Sequence, residues 1–223
     1  MKRINKYWAS LVVICLHVLA VGYFYTVLPA DAQIPIHWDI NGEIDGWTSL
    51  GTSVLFGLGM CIGLFLLMFL MPLYSPWYKK YEVRFEKILP SLAFVLVLFF
   101  TLISVYGYLI AMFDNAIPIN LIMLLIGALM VFLGDLLPKA PRNFFIGIKT
   151  PWTLSDDDIW QKTHRVGGYL FVIAGFILML KSMILFSNKG FQLYSGIFAL
   201  ALLMYPLLHS FILYLQKQKT KQL

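Results

Sequence analysis

Charge is scarce in this chain of 223 residues: 13% are Asp, Glu, Lys or Arg, where a water-soluble domain carries about a quarter. Apolar residues make up 60%, which excludes water as the only solvent. Cysteine is scarcer still, with Cys15 and Cys61 both inside apolar stretches. Two such residues exclude a disulfide framework and a thiolate metal site, and read as small packing residues. There is no Walker loop, no His-Glu-x-x-His and no Gly-x-Ser-x-Gly, so no nucleotide, zinc-protease or serine-hydrolase motif is encoded. No catalytic residue, metal or cofactor is expected.

What the chain has instead is six apolar runs, near residues 8–28, 52–74, 90–112, 117–137, 166–186 and 191–215. Each is long enough to cross a hydrocarbon core of about 30 Å, which takes about 20 helical residues. In lipid only a helix or a closed barrel satisfies its own backbone, and runs this continuous are helices. The short gaps at 113–116 and 187–190 predict two tight helical hairpins. The expected fold is all-α, a polytopic membrane bundle of about six helices. The Ala30-Asp31-Ala32 sequence has the look of a signal-peptide cleavage site, but the apolar run before it exceeds the 7–15 residues of a signal core. It is therefore read as span 1.

Basic residues fix the orientation. Of the 17 Lys and Arg, all but Lys181 and Lys189 fall at the amino end, in the loops after spans 2 and 4, or in the tail. Those four segments, and both termini, are thus cytoplasmic. The net charge of +6 reports topology and contact with membrane lipids rather than direct nucleic-acid binding. The division expected is an N-terminal membrane unit over 1–75 with an extracytoplasmic loop at 29–50, a linker and third span over 76–116, a unit over 117–190 with a cytoplasmic loop at 138–165, and a sixth span with basic tail over 191–223.

In the outer loop Ile34, Ile36, Trp38 and Ile40 alternate with Pro35, His37 and Asp39, a period of two that predicts an extended segment. Asn41-Gly42 predicts a tight hairpin turn. The apolar side and the tryptophans, Trp38 and Trp47, are expected at the membrane interface. Four acids and no base make this loop attractive to a cationic partner, and equally satisfy the positive-inside rule. His37, Asp39 and Asp45 are possible metal ligands, but without a second His or a Cys their spacing is not a metal signature.

The inner loop is punctuated by Pro138, Pro141 and Pro151. Ser155 followed by Asp158 resembles a capping box, so a helix is expected to start near Asp156. Trp160 and His164, four apart, share one face of it. Asp156, Asp157 and Asp158 fan out by about 100° each and complement the positive helix end rather than hold an ion. Arg142, Lys149, His164 and Arg165 are expected to form a basic cluster, read either as phospholipid headgroup contact or as a docking surface. Within the spans, His17 and His209 are expected to be structural histidines, Asp135 to reach Lys139 if the helix persists to Pro138 or else Arg142, Lys181 to snorkel outward, and Gly59 and Gly63 to form a packing seam.

The ordered string Pro138-Lys139, Asn143, Gly147-Ile148-Lys149-Thr150-Pro151-Trp152-Thr153-Leu154-Ser155, Trp160, Thr163-His164-Arg165 and Gly167-Gly168 resembles the SdpI family of bacterial membrane proteins. Two positions depart from it: the family usually has Arg where Lys149 stands and Asn where Asp135 stands. The outer loop, through Leu28-Pro29, Ile34-Pro35, His37-Trp38, Gly42 and Asp45-Gly46-Trp47, resembles a small domain of uncharacterised function that commonly precedes the SdpI domain. The resemblance implies a non-enzymatic protein of a Gram-positive cell membrane that gives immunity to a secreted antimicrobial peptide toxin. It also implies signalling, by holding a cytoplasmic ArsR-type repressor at the membrane. On that reading His37, Trp38, Asp45 and Trp47 face the toxin, and Asn143, Lys149, Trp152, Trp160, His164 and Arg165 form the docking site for the repressor. A transporter or flippase for a lipid or small amphiphile, with a polar path lined by His17 and His209, is the alternative. A membrane-embedded enzyme using His164 with Asp158 or Asp135 is a third reading.

Overall fold

The computed structural model describes residues 3–39, 42–113, 121–183 and 189–221. Six long helices account for most of them: α1 (Trp8–Val27), α2 (Leu50–Phe69), α3 (Glu82–Met112), α4 (Leu121–Leu136), α5 (Asp157–Met183) and α6 (Lys189–Lys221). All six are long and apolar enough to cross a membrane. Their exteriors agree: Leu19, Leu55, Phe56 and Leu208 are each more than half exposed. Helices apolar on all sides belong in lipid. Of the gaps expected to be tight hairpins, at 113–116 and 187–190, residues 114–116 and 187–188 lie outside the described residues.

Proline sets several of the boundaries. α1 stops because Leu28 precedes Pro29 and is extended, at φ −83° and ψ 144°. α2 ends earlier than its apolar run, since Pro72 has no N–H for a further turn. A short separate helix, Met71–Tyr74, follows it. α3 starts eight residues before Pro90, where the apolar run led us to begin it. The proline forfeits one backbone bond, and Phe85, Ile88, Leu89 and Leu92 form a buried stripe through it.

Two compact units result, Met1–Pro76 with Leu89–Leu125 and Trp77–Ile88 with Ile126–Leu223. In the first, strands β1 (Gln33–Trp38) and β2 (Ile44–Ser49) pair antiparallel. The turn residue Asn41 lies outside the described residues. Beside it, Asp39 N–H donates to Glu43 O, Gly42 N–H donates to Asp39 O, and Gly42 has φ 84°. The hairpin is seated on the helices of its own unit. Ile34 is buried in the core with Val21, Phe24, Leu28, Leu50 and Tyr108, worth about 1.5–3 kcal/mol. A Cβ on Gly107 of α3 would lie 3.0 Å from Pro35 O, so glycine there lets the strand approach.

In the second unit α4 and α5 run antiparallel with their backbones in near contact. A Cβ on Gly127 would lie 2.6 Å from Gly175 O, and one on Gly134 would lie 2.6 Å from Gly168 O. Among the described residues the seam expected at Gly59 and Gly63 is not formed, since nothing lies within 4 Å of a Cβ at either. Lys181, expected to snorkel, is buried at 2% exposure.

Gly134→Leu is expected to cost about 1–3 kcal/mol or more by overpacking. Gly63→Leu should cost less than about 0.5 kcal/mol. Thermal unfolding in detergent compares them, and equal melting temperatures would contradict the assignment of the seam.

Candidate functional site

The outer hairpin departs from simple alternation because it is bulged. Pro35 faces Trp47, His37 faces Gly46 and Trp38 faces Ile44, which leaves Ile36 and Asp45 without cross-strand partners. The predicted single apolar face is therefore broken. Ile34 is buried while Ile36 is 50% exposed. A bulge also re-aims side chains: His37 Nδ1 meets Asp45 Oδ1 at 2.5 Å, with the two side chains 70% and 47% exposed. Gly46 makes room, since a Cβ there would lie 2.8 Å from that of His37. A polar pair this exposed is worth at most about 1 kcal/mol, so it adds little to folding. Trp38 stacks on Tyr106 of α3, with centroids 6.0 Å apart, while Trp47 is 45% exposed. Asp39 is turned away from His37 and accepts the Glu43 N–H at 2.8 Å. Among the described residues no group of three His, Cys, Asp or Glu is placed to hold a metal.

Below the hairpin, in the same unit, His17 is fully buried. Its Nδ1 lies 3.3 Å from both Cys61 Sγ and Thr101 Oγ1. His209, in the second unit, stacks on Tyr205.

The inner loop is a folded object although residues 140–150 contain no helix or strand. Asn143 is wholly buried and uses both ends of its amide. Its Nδ2 donates to Pro141 O at 2.7 Å and Ile146 O at 3.0 Å, and its Oδ1 accepts the N–H groups of Phe145 and Ile146 at 2.7 Å. Gly147, at φ 123°, then redirects the chain in a conformation that disfavours any side chain. Ile148 N–H therefore donates to His164 Nε2 at 2.9 Å, and His164 Nδ1 donates to Trp160 O at 2.7 Å. The neutral ring protonated on Nδ1 is the form both partners require. The two rings stack 3.9 Å apart, and Trp160 Nε1 donates to Ala140 O at 3.0 Å.

The other half of the loop is tied to α6. Thr150 and Thr153 form a reciprocal capping box on the short helix Pro151–Ser155. Trp152 Nε1 donates to Ser210 Oγ, and its ring packs on Phe211 and Tyr214. The cap of α5 is Asp156 rather than the expected Ser155: its Oδ1 accepts from Asp158 N–H at 2.9 Å and Ile159 N–H at 3.1 Å. Ser155 bonds backward to Trp152 O instead. The acidic triplet fans out as anticipated, each carboxylate with its own cation: Asp156 with Lys217, Asp157 with Arg142 and Asp158 with Lys162. The hydrogen bond from Lys217, aided by those two backbone amides, holds the Asp156 carboxyl below its ordinary range. Asp135 reaches Lys139 at 2.6 Å.

The six inner residues singled out in the sequence thus divide. Asn143, Trp160 and His164 are buried at 0–1% exposure; they hold the loop and cannot touch a partner directly. Trp152 is half-buried against α6. Lys149 is exposed, with Nζ on Phe144 O at 3.2 Å. Arg165 is exposed at the rim of a cavity it shares with Arg84, Lys87 and Lys139. The expected basic cluster is therefore not one surface, since His164 lies inside and Arg142 is turned onto Asp157 and Leu154 O. Nor do His164, Asp158 and Asp135 converge, because each is committed to its own partner. Sequence reading missed Phe144 and Phe145, 49% and 38% exposed at the loop tip. Adjacent aromatics between turn residues are the signal that offers them.

Residues 139–212 match the SdpI/YfhL protein family, and residues 11–73 match a domain of unknown function, DUF1648. The first match takes in the inner loop, α5 and most of α6; the second takes in α1, the hairpin and α2. The chain is similar to the Immunity protein SdpI of Bacillus subtilis (strain 168), at 27% identity over 174 residues, covering 78% of this chain and 79% of that protein. No solved structure matches the chain. Six apolar helices together with this likeness make it a multi-pass protein of the cell membrane.

Asn143→Ala leaves the Phe145 and Ile146 N–H groups unpaired, at a cost of about 2 kcal/mol or more. Trypsin cleavage after Arg142 and Lys149 in inside-out vesicles is expected to accelerate. An unchanged rate would contradict the role given to Asn143.

Proposed function

We propose that this chain, an SdpI-family membrane protein with a DUF1648 region ahead of the family segment, is a non-enzymatic immunity protein against a secreted antimicrobial peptide of the SDP type. The observation that carries this reading beyond similarity is the outer hairpin. It is seated on α3 through Ile34, Trp38 and Gly107, yet it spends His37, Asp45 and Trp47 on an exposed surface where they stabilise little. A scaffold presenting an aromatic beside a hydrogen-bonded His–Asp pair is suited to capturing a peptide. On the side that the distribution of Lys and Arg marks as cytoplasmic, the loop held by Asn143, Trp160 and His164 presents Phe144, Phe145 and Lys149. These, with Trp152 and Arg165, are the residues we assign to docking a cytoplasmic ArsR-type repressor. Coupling between the faces requires that toxin bind one conformation better than another.

The amphiphile-carrier reading has one observation in its favour. A groove of about 260 Å³ beside the hairpin is lined by Ile36, Phe56, Met60 and Phe100 and by the hydroxyl-bearing Ser53 and Ser104. Its lining suits an acyl chain with a polar end.

Survival discriminates. In a Bacillus strain lacking its own SDP immunity genes, this chain is expected to raise the lethal toxin concentration. Trp47→Ala and Trp38→Ala, at normal membrane levels, should each lower that protection roughly tenfold or more. Full protection by both variants would remove the hairpin from toxin binding. No protection by the parent chain would favour the carrier.

A further inference from the structure

We propose that the second unit contains a binding site for the phosphodiester headgroup of an anionic phospholipid, built by Arg84, Lys87, Lys139 and Arg165. These four cations come from three elements and line one cavity of about 380 Å³, with Gln161 beside them and Ile88 below. Arg84 and Lys87 lie on the first turns of α3, Lys139 follows α4, and Gln161 and Arg165 stand one turn apart on α5. Of the nearby carboxylates, Asp135 pairs with Lys139 at 2.6 Å. Among the described residues no carboxylate pairs with Arg84, Lys87 or Arg165. Asp157 and Asp158 are already engaged by Arg142 and Lys162. Three of the four cations are therefore left without an acid partner, and positive charge left unbalanced in this way calls for an anion.

Depth in the membrane selects the anion. Lys87 precedes the apolar run that begins near Pro90, Lys139 follows the run that ends at Leu137, and Arg165 precedes the run that begins at Val166. All three cations thus stand where hydrocarbon gives way to headgroups. The segment leading to them opens with Trp77, Tyr78 and Tyr81, ring types enriched at that boundary. By the distribution of Lys and Arg this is the cytoplasmic leaflet, where anionic lipid is available to basic pockets between helices. A phosphate there is offered two planar guanidinium forks, two ammonium groups and an amide. A neutral zwitterionic lipid brings its own cation into the same cavity and is disfavoured. The site is separate from the exposed loop tip and does not rest on the immunity reading.

The test uses the full chain in neutral detergent, titrated with phosphatidylglycerol, with phosphatidylcholine and with inorganic phosphate, and bound lipid is read by native mass spectrometry. Each basic residue of the cavity is expected to contribute about fivefold in affinity. The double variant Arg84→Gln, Arg165→Gln should therefore hold phosphatidylglycerol about 30-fold more weakly. Lys79→Gln with Lys80→Gln removes the same charge from exposed positions outside the cavity and should leave retention unchanged. If the first double variant fails to fold, Lys87→Gln alone should weaken retention about fivefold. Equal retention by both double variants would reduce the effect to net charge and overturn the site. Saturable phosphate binding that depends on Arg84 and Arg165, without lipid retention, would assign the cavity to a free anion and overturn the lipid assignment.

Discussion

An irregular stretch of backbone beside a hydrocarbon layer must find partners for its own N–H and C=O groups, and the inner loop depends on that constraint. Each unpaired buried group costs about 1–3 kcal/mol, and residues 140–150 have no ladder to satisfy them. Three side chains substitute for one. Asn143 closes the first turn with four bonds, Trp160 takes Ala140 O, and His164 takes Ile148 N–H. Gly147 is the hinge that brings Ile148 to the imidazole, and a side chain at 147 would strike the rings of His164 and Trp160. Conformation, hydrogen bonding and ring stacking specify the same path.

The loop's shape fixes what it can do. Its polar groups are consumed internally, so any partner meets the aromatic tip and Lys149 rather than an open set of donors. Ser210 and Lys217 fasten its second half to α6, so a displacement of that helix would be felt in the loop. The outer hairpin follows the opposite logic. Its core side is spent on seating, and its bulges turn His37 and Asp45 outward, where both side chains are exposed. One element is built to be held and the other to be reached.

Much of this was legible from spacing. The i,i+4 pairs Trp160 with His164 and Asp135 with Lys139 sit where helical geometry put them, and alternation with Asn-Gly located the hairpin. What was not legible needed a second element. A bulge changes which residues face one another, so Ile36 and Asp45 could not be placed from one strand. The seven-residue spacings of Gly127 with Gly134 and Gly168 with Gly175 become a seam only when two antiparallel helices are aligned. Ser155 and Asp156 are both good caps, and the choice was made by Lys217, some 61 residues away. The three buried members of the inner set hold the loop's own backbone, which a single helix face does not announce. A tryptophan and a histidine on one helix face look the same whether they meet a partner or a backbone.

The most direct measurement is amide hydrogen exchange across residues 140–150 in the full chain embedded in nanodiscs. If the loop is a fixed framework, the Ile146 and Ile148 amides exchange orders of magnitude more slowly than an unstructured peptide. Replacing His164 with Phe should then release Ile148 while leaving Ile146 protected by Asn143. Exchange of both amides at unstructured rates in the parent chain would contradict the account.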